Sequence, residues 1–211
     1  MRVKMNTGEI RDEIRQPLFD TVLLTEGENP VGVRSFFSEV QGKPAHASNL
    51  RQNNILESAV SYRIMGISFD AMNLNIENEH TLRLLAENSS LKLRIGEKNY
   101  LEVNTGMITG GVETKLAGYA VGQTLFGPQF IQKAHVKMGG AGISRIQLDA
   151  KSAIDIAPLQ SFSVDWEISG APWGLSASEV ALATIQNPQG AFNTRIKFVC
   201  TLRGLMRRPV Q

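Results

Sequence analysis

The sequence predicts an all-β protein folded as an antiparallel two-sheet sandwich. Three observations carry that prediction. Two segments alternate strictly between apolar and polar residues, as a strand with one buried face must. Turn-rich stretches such as Glu28-Asn29-Pro30, Gly110-Gly111 and Asn187-Pro188-Gln189-Gly190 punctuate the chain at short intervals. Helical patterns are too few and too short to supply the crossovers that a parallel sheet needs.

Taken in chain order, Gly8 to Gln16 reads as a turn or two of helix ending before Pro17. Leu18–Leu24 and Val31–Phe37 follow as candidate strands. From Val60 to Phe69 the pattern places Tyr62 and Ile64 inward, slips at Met65-Gly66, and resumes with Ile67 and Phe69. A glycine in such a run marks a β-bulge. Glu79 to Asn88, with Leu82, Leu85 and Ala86 at helical spacing, is a second short helix. Leu91–Ile95, the turn Gly96-Glu97-Lys98-Asn99 and Tyr100–Val103 form a hairpin. Weaker strand signals lie between Val112 and Val121 and at Val136-Lys137-Met138.

Between Ile143 and Ile156 the residues Ile146, Leu148, Ile154 and Ile156 fall on one face. Ser161 to Ile168 is the strongest alternation, with Phe162, Val164, Trp166 and Ile168 inward. Ser176 to Ile185, with Ser176 as cap and Glu179 three residues on, is the third helix. Arg195 to Leu202 closes the pattern, burying Ile196, Phe198, Cys200 and Leu202. The whole amounts to about eight to ten short strands, without an internal repeat of the length that solenoids or propellers require.

At 211 residues the chain is expected to form one domain, with two small ones as the alternative, and a core large enough to need no metal or disulfide staple. Apolar residues at 42% and charged residues at 20% exclude a disordered chain. A formal net charge of +2 argues against a wholesale basic nucleic-acid binder but leaves room for local patches. Cys200 has no internal partner and sits in the apolar run Phe198-Val199-Cys200, where a buried, inert thiol is expected. No continuous apolar stretch opens the chain, so a signal peptide is not expected, and no membrane span is visible. Synthesis in a reducing cytoplasm follows, which deprives the sequon Asn88-Ser89-Ser90 of meaning.

Reactive chemistry finds little support. Val136-Lys137-Met138-Gly139-Gly140-Ala141-Gly142-Ile143 resembles a phosphate-cradling turn, but Arg145 stands where a small residue is needed and the next segment alternates like a strand. His46, His80 and His135 are far apart in sequence and offer no paired metal ligands, so no metal or cofactor is expected. Gly174-Leu175-Ser176-Ala177-Ser178 lacks the closing glycine of a nucleophile elbow. No carboxylate pair stands out, and the protein is not expected to be an enzyme. Trp173, in the loop Gly170-Ala171-Pro172-Trp173-Gly174, is a candidate interface anchor, the alternative being that it folds back over the sandwich edge. Arg203, Arg207 and Arg208 concentrate positive charge at the C-terminal end and are candidates for contact with genome phosphates or lipid headgroups, against the plainer reading of a solvated tail. At the other end Arg2, Lys4, Arg11 and Arg15 are interleaved with Glu9, Asp12 and Glu13.

The stretch Ile146 to Trp166, a strand, a proline-containing turn and then Gln160-Ser161-Phe162-Ser163-Val164, resembles the late strands of jelly-roll major capsid proteins from tailless icosahedral bacterial viruses. The close from Phe198 to Gln211 and the polar bridge Ser48-Asn49-Leu50-Arg51-Gln52-Asn53-Asn54-Ile55-Leu56 are similar. The likeness spans about half the chain and is one of pattern. It implies a single eight-stranded jelly roll that self-assembles into capsomers of a virion shell, made in the host cytoplasm, with copies of itself and other capsid proteins as partners. The viral genome or an internal membrane would lie at its inner surface, and no small-molecule substrate is implied. The domain reading is then an N-terminal arm over 1–17 that orders on assembly, a jelly roll over 18–205 and a basic tail over 206–211. A carbohydrate- or receptor-binding β-sandwich, such as a spike or lectin-like module, is the alternative, with a cupin-type enzyme third.

Overall fold

In a computed structural model of the chain, the described residues are 2–4, 10–24, 31–72, 85–109, 112–124, 127–138, 145–169 and 196–209. They form two packed antiparallel sheets. Sheet A is built around β5 (Ser61–Met72) and β13 (Ile196–Pro209), paired along most of their length. On its other side the first half of β13 pairs with β3 (Leu18–Leu24), and its second half pairs with β2 (Ile10–Arg15), beyond which lies β1 (Arg2–Lys4). The far edge of β5 carries β10 (Arg145–Gln147) and β11 (Ile154–Ile156). Sheet B runs in the order β4 (Gly32–Phe36), β12 (Phe162–Ile168), β6 (Ser89–Ile95), β7 (Lys98–Asn104).

Apart from the β6–β7 hairpin, the β10–β11 step and a separate hairpin inserted between β7 and β10, every connection from β3 onward crosses between these two sheets. The order β3-β13-β5 with β10 and β11, facing β4-β12-β6-β7, is a single jelly roll in which the strand β10–β11 is interrupted. A short helix α1 (Thr105–Thr109) and the hairpin β8 (Val112–Thr124)–β9 (Gly127–Met138) are inserted between β7 and β10. The weak strand signals near Val112 and Val136 are thus the two arms of one hairpin.

The alternations seen in the sequence account for the core. Phe162, Val164, Trp166 and Ile168 from sheet B meet Ile196, Phe198, Cys200 and Leu202 from sheet A, all buried. An aromatic cluster ties the sheets together: the Trp166 ring centroid lies 4.6 Å from that of Phe198 and 5.1 Å from that of Phe69, and Phe36 meets Phe69 edge-on at 5.9 Å. Each such pair adds about 0.5–1.5 kcal/mol beyond the area it buries. The register slip expected at Met65-Gly66 is present: Arg203 pairs with Gly66 and Gly204 with Ile64, leaving Met65 as the extra residue. The β6–β7 loop is tighter than predicted. Ile95 pairs with Lys98, so only Gly96 and Glu97 turn the chain, with Gly96 at φ 59° where a side chain is disfavoured.

Two terminal readings change. The segment 8–16, expected to be helical, holds strand β2 instead. Its ladder with β13 and the cross-strand pair Glu13–Arg207, 2.9 Å apart, override a weak local preference. Residues 206–209, read as the start of a basic tail, continue β13 between β2 and β5. Of the second expected helix, residues 85–87 are helical, Asn88 lies in a bend just after them, and 79–84 lie outside the described residues. The third, 176–185, lies wholly outside them, as does the glycine-rich turn 139–142.

The long connection from β4 to β5 is tied down along the outer edge of β3. Ser48 forms a bridge with Asp20, the Phe19 N–H donates to the Asn49 side chain (2.8 Å), and the Asn49 side-chain amide donates to the Pro17 carbonyl (2.7 Å). Covering an edge strand in this way removes a surface on which another chain would pair. At its centre the fully buried Asp20 carboxylate accepts from the Phe37 N–H (2.7 Å) and from the Lys43 ammonium at 2.9 and 3.0 Å. Phe37 adopts φ 68°, which lets its ring turn inward beside that of its neighbour Phe36 and contact Phe162.

Candidate functional site

The outer face of sheet A is rich in arginine, and pairing sorts these side chains into two kinds. Arg63 on β5 grips Asp155 on β11 with a two-pronged contact, Nε to Oδ1 at 2.8 Å and Nη2 to Oδ2 at 3.0 Å. That hydrogen-bonded pair holds the Asp155 carboxyl below the usual carboxylate range and raises the Arg63 guanidinium above its ordinary value. Arg207 donates through Nε to Glu13 at 2.9 Å. Arg15 and Arg203 have no carboxylate partner among the described residues, and both are exposed.

These two arginines line a groove of about 460 Å³, together with Gln16, Pro17, Met65, Gly66, Ile146, Gln147, Thr201 and Gly204. Backbone geometry makes the depression. At Pro17 the chain passes from β2 to β3, and proline has no N–H to give to the ladder. The strand break is held by Tyr62, whose buried hydroxyl lies 2.8 Å from the carbonyl oxygens of both Gln16 and Leu202. Burial pushes the Tyr62 phenol well above its ordinary pKa, so it stays protonated and keeps its hydrogen bond. Across the bulge the backbones approach so closely that a Cβ on Gly66 would lie 2.7 Å from the Ile146 carbonyl, and one on Gly204 only 1.9 Å from that of Arg63. Missing side chains at these two positions give the groove its floor, with Met65, Ile146 and Pro17 as apolar lining and the two guanidinium groups beside it.

Of the three C-terminal arginines singled out in the sequence, only Arg203 reaches this groove. Arg207 is engaged with Glu13, and Arg208 is exposed, paired in register with Asp12. The structure thus spreads the three along one strand instead of gathering them. Trp173 lies outside the described residues. Cys200 is buried, and its enclosure raises the thiol pKa far above the ordinary range. Among the described residues no group of three or more histidine, cysteine or acidic side chains is placed to hold a metal, and no helix is long and apolar enough to cross a membrane.

A second feature lies at one end of the sandwich. Seven large apolar residues among the described ones are exposed, and five of them, Leu23, Val31, Val33, Met72 and Met107, belong to a single end. Leu23 and Met72 flank Lys197 in one cross-strand row of sheet A. Val31 and Val33 lie at the start of β4, and Met107 is in α1 directly after β7. The connections from β3 to β4, β5 to β6, β7 to β10 and β12 to β13 all leave from this end.

The architecture and these surfaces define a single jelly-roll β-sandwich with an apolar end and an arginine-lined groove. Comparison of the chain with protein-family models, with curated proteins and with solved structures found no match in any of the three.

Proposed function

We propose that the chain is a structural virion protein, a single jelly-roll subunit that assembles with copies of itself into an icosahedral shell. The observation that carries this reading is the gathering of Leu23, Val31, Val33, Met72 and Met107 at one end of the sandwich. Exposed apolar side chains scattered singly need no explanation, whereas a set drawn from both sheets and the following helix marks a surface that meets another protein. Val33 is 62% exposed on β4, the edge strand of sheet B, and Met107 is 77% exposed. Leu23 and Met72 face outward from sheet A and Val33 faces outward from sheet B, so this end offers apolar side chains to neighbouring copies on both outer faces, as closed symmetric assembly uses. The jelly roll is a fold of capsid subunits, and equally of lectins and cupins, so the fold alone does not choose among them.

The test is the size of the particle. Light scattering after size-exclusion and negative-stain microscopy of the purified chain should show rings or closed shells. The double substitution Val33→Lys with Met107→Lys should reduce them to monomers that keep the β-sheet circular dichroism spectrum. A wild-type chain that stays monomeric at millimolar concentration and binds a glycan would overturn the proposal in favour of a carbohydrate-binding module.

A further inference from the structure

We propose that the groove between Arg15 and Arg203 is a binding site for a single phosphate group carried by a small molecule or a lipid headgroup. Arg15 pairs in register with Leu205, and Arg203 lies two residues away on the same face of β13. That makes the two side chains diagonal neighbours, about 7–8 Å apart at their Cα atoms. Two like charges so placed repel each other unless an anion lies between them. The neighbouring Arg63 and Arg207, by contrast, each have a carboxylate within 3 Å or less. Among the described residues the groove therefore keeps two guanidinium groups without a carboxylate partner, where Arg63 and Arg207 each have one.

The remaining lining fits the same ligand. Thr201, Gln16 and Gln147 provide neutral hydrogen-bonding groups, while Met65, Ile146 and Pro17 give an apolar wall for whatever the phosphate is attached to. A guanidinium fork pairs with two oxygens at once, and two forks on one anion call for three or more oxygens on one centre, which a phosphate has and a halide or a single carboxylate lacks. The volume of about 460 Å³ is that of a small-ligand pocket and not of a track. Among the described residues the next cations along the face, Arg63 and Arg207, are tied to Asp155 and Glu13, so these offer a nucleic-acid backbone no continuing line of free charge.

Isothermal titration of the wild-type chain with inorganic phosphate, and with glycerol phosphate, should give saturable one-site binding. Arg15→Gln and Arg203→Gln should each weaken it about tenfold or more. Arg208→Gln, outside the groove, should leave it unchanged, and circular dichroism will establish that each variant is folded. Co-sedimentation with phosphatidic acid vesicles, with and without competing phosphate, separates the sources: vesicle binding lost in both groove variants assigns a headgroup, and its absence assigns a soluble phosphate. Absence of binding, or binding untouched by both groove substitutions, would overturn the proposal. So would binding restricted to a single-stranded oligonucleotide and weakened equally by Arg208→Gln. None of these outcomes depends on whether the chain assembles.

Discussion

Breaking the Asp20–Lys43 pair should destabilise the sandwich by far more than a surface ion pair would. Asp20 is fully buried, while the Lys43 side chain keeps 25% of its surface exposed. Asp20→Ala removes the acceptor for three hydrogen bonds, those from the Phe37 N–H and the two from the Lys43 ammonium. The orphaned, buried Phe37 N–H alone costs about 1–3 kcal/mol. Lys43 recovers part of its loss, since it still reaches the Thr21 carbonyl at 2.8 Å and water. The total should fall near 3–4 kcal/mol. Lys43→Ala is the more informative change. It leaves an enclosed carboxylate with one backbone donor, and should cost about 3–5 kcal/mol although the mutated residue is itself partly exposed. The double variant should cost about 2 kcal/mol less than the sum of the singles. Urea titrations followed by tryptophan fluorescence, with Trp166 in the core as reporter, give these values provided the denaturant slope is unchanged. A loss under about 1 kcal/mol for Lys43→Ala, the size expected of an exposed pair, would refute the reasoning, as would strict additivity.

Three further outcomes follow from the same contacts. Gly204→Ala places a Cβ 1.9 Å from the Arg63 carbonyl, a backbone atom that cannot swing away, and should cost at least about 3 kcal/mol in a thermal or urea melt. The buried Cys200 thiol has a raised pKa, so the stability it contributes is complete below the ordinary thiol value and declines as pH climbs above about 8.5, where the unfolded chain ionises first. Melts of Cys200→Ala should therefore lose less stability than wild type between about pH 8.5 and 10, and the native thiol should resist a disulfide reagent until the protein unfolds. Asp155 behaves in the opposite sense. Its depressed carboxyl pKa stabilises the fold above about pH 4, and Asp155→Asn should cost up to about 1 kcal/mol at neutral pH, the difference closing as pH falls through the folded value.

The strands that read cleanly in the sequence are those with one face in the core and short-range signals at both ends. β12 and the first half of β13 read cleanly because each buries one side against the opposite sheet, even though Asp165 and Val199 on their other sides are buried as well. The bulge in β5 was legible because glycine interrupts the alternation. What escaped depends on partners distant along the chain. Residues 10–15 form a strand only because β13 lies beside them, and Glu13 meets Arg207 across 194 positions. Phe37 breaks the alternation beside Phe36 by a positive φ that no local pattern announces. For the groove, Arg203 stood out as part of a basic cluster, and Arg15 was just one charge in a mixed run. Their meeting is set by the offset of β2 against β13, which composition does not encode. The proline after Gln16 was the available signal, since it separates the strands on either side of Arg203.

The order of synthesis has a consequence for how this molecule reaches its native form. β13, the last strand in chain order among the described elements, occupies the middle of sheet A, with β3 and β2 on one flank and β5 on the other. Until it emerges, the early strands have a gap where their main hydrogen-bonding partner belongs, and half the aromatic cluster has no Phe198 to close upon. Folding must wait for ring closure over nearly the whole polypeptide, which places this sandwich among slow, high-contact-order folders. A chain ending between residues 72 and 196 would leave two unsatisfied sheet edges facing each other instead of a shortened but stable domain.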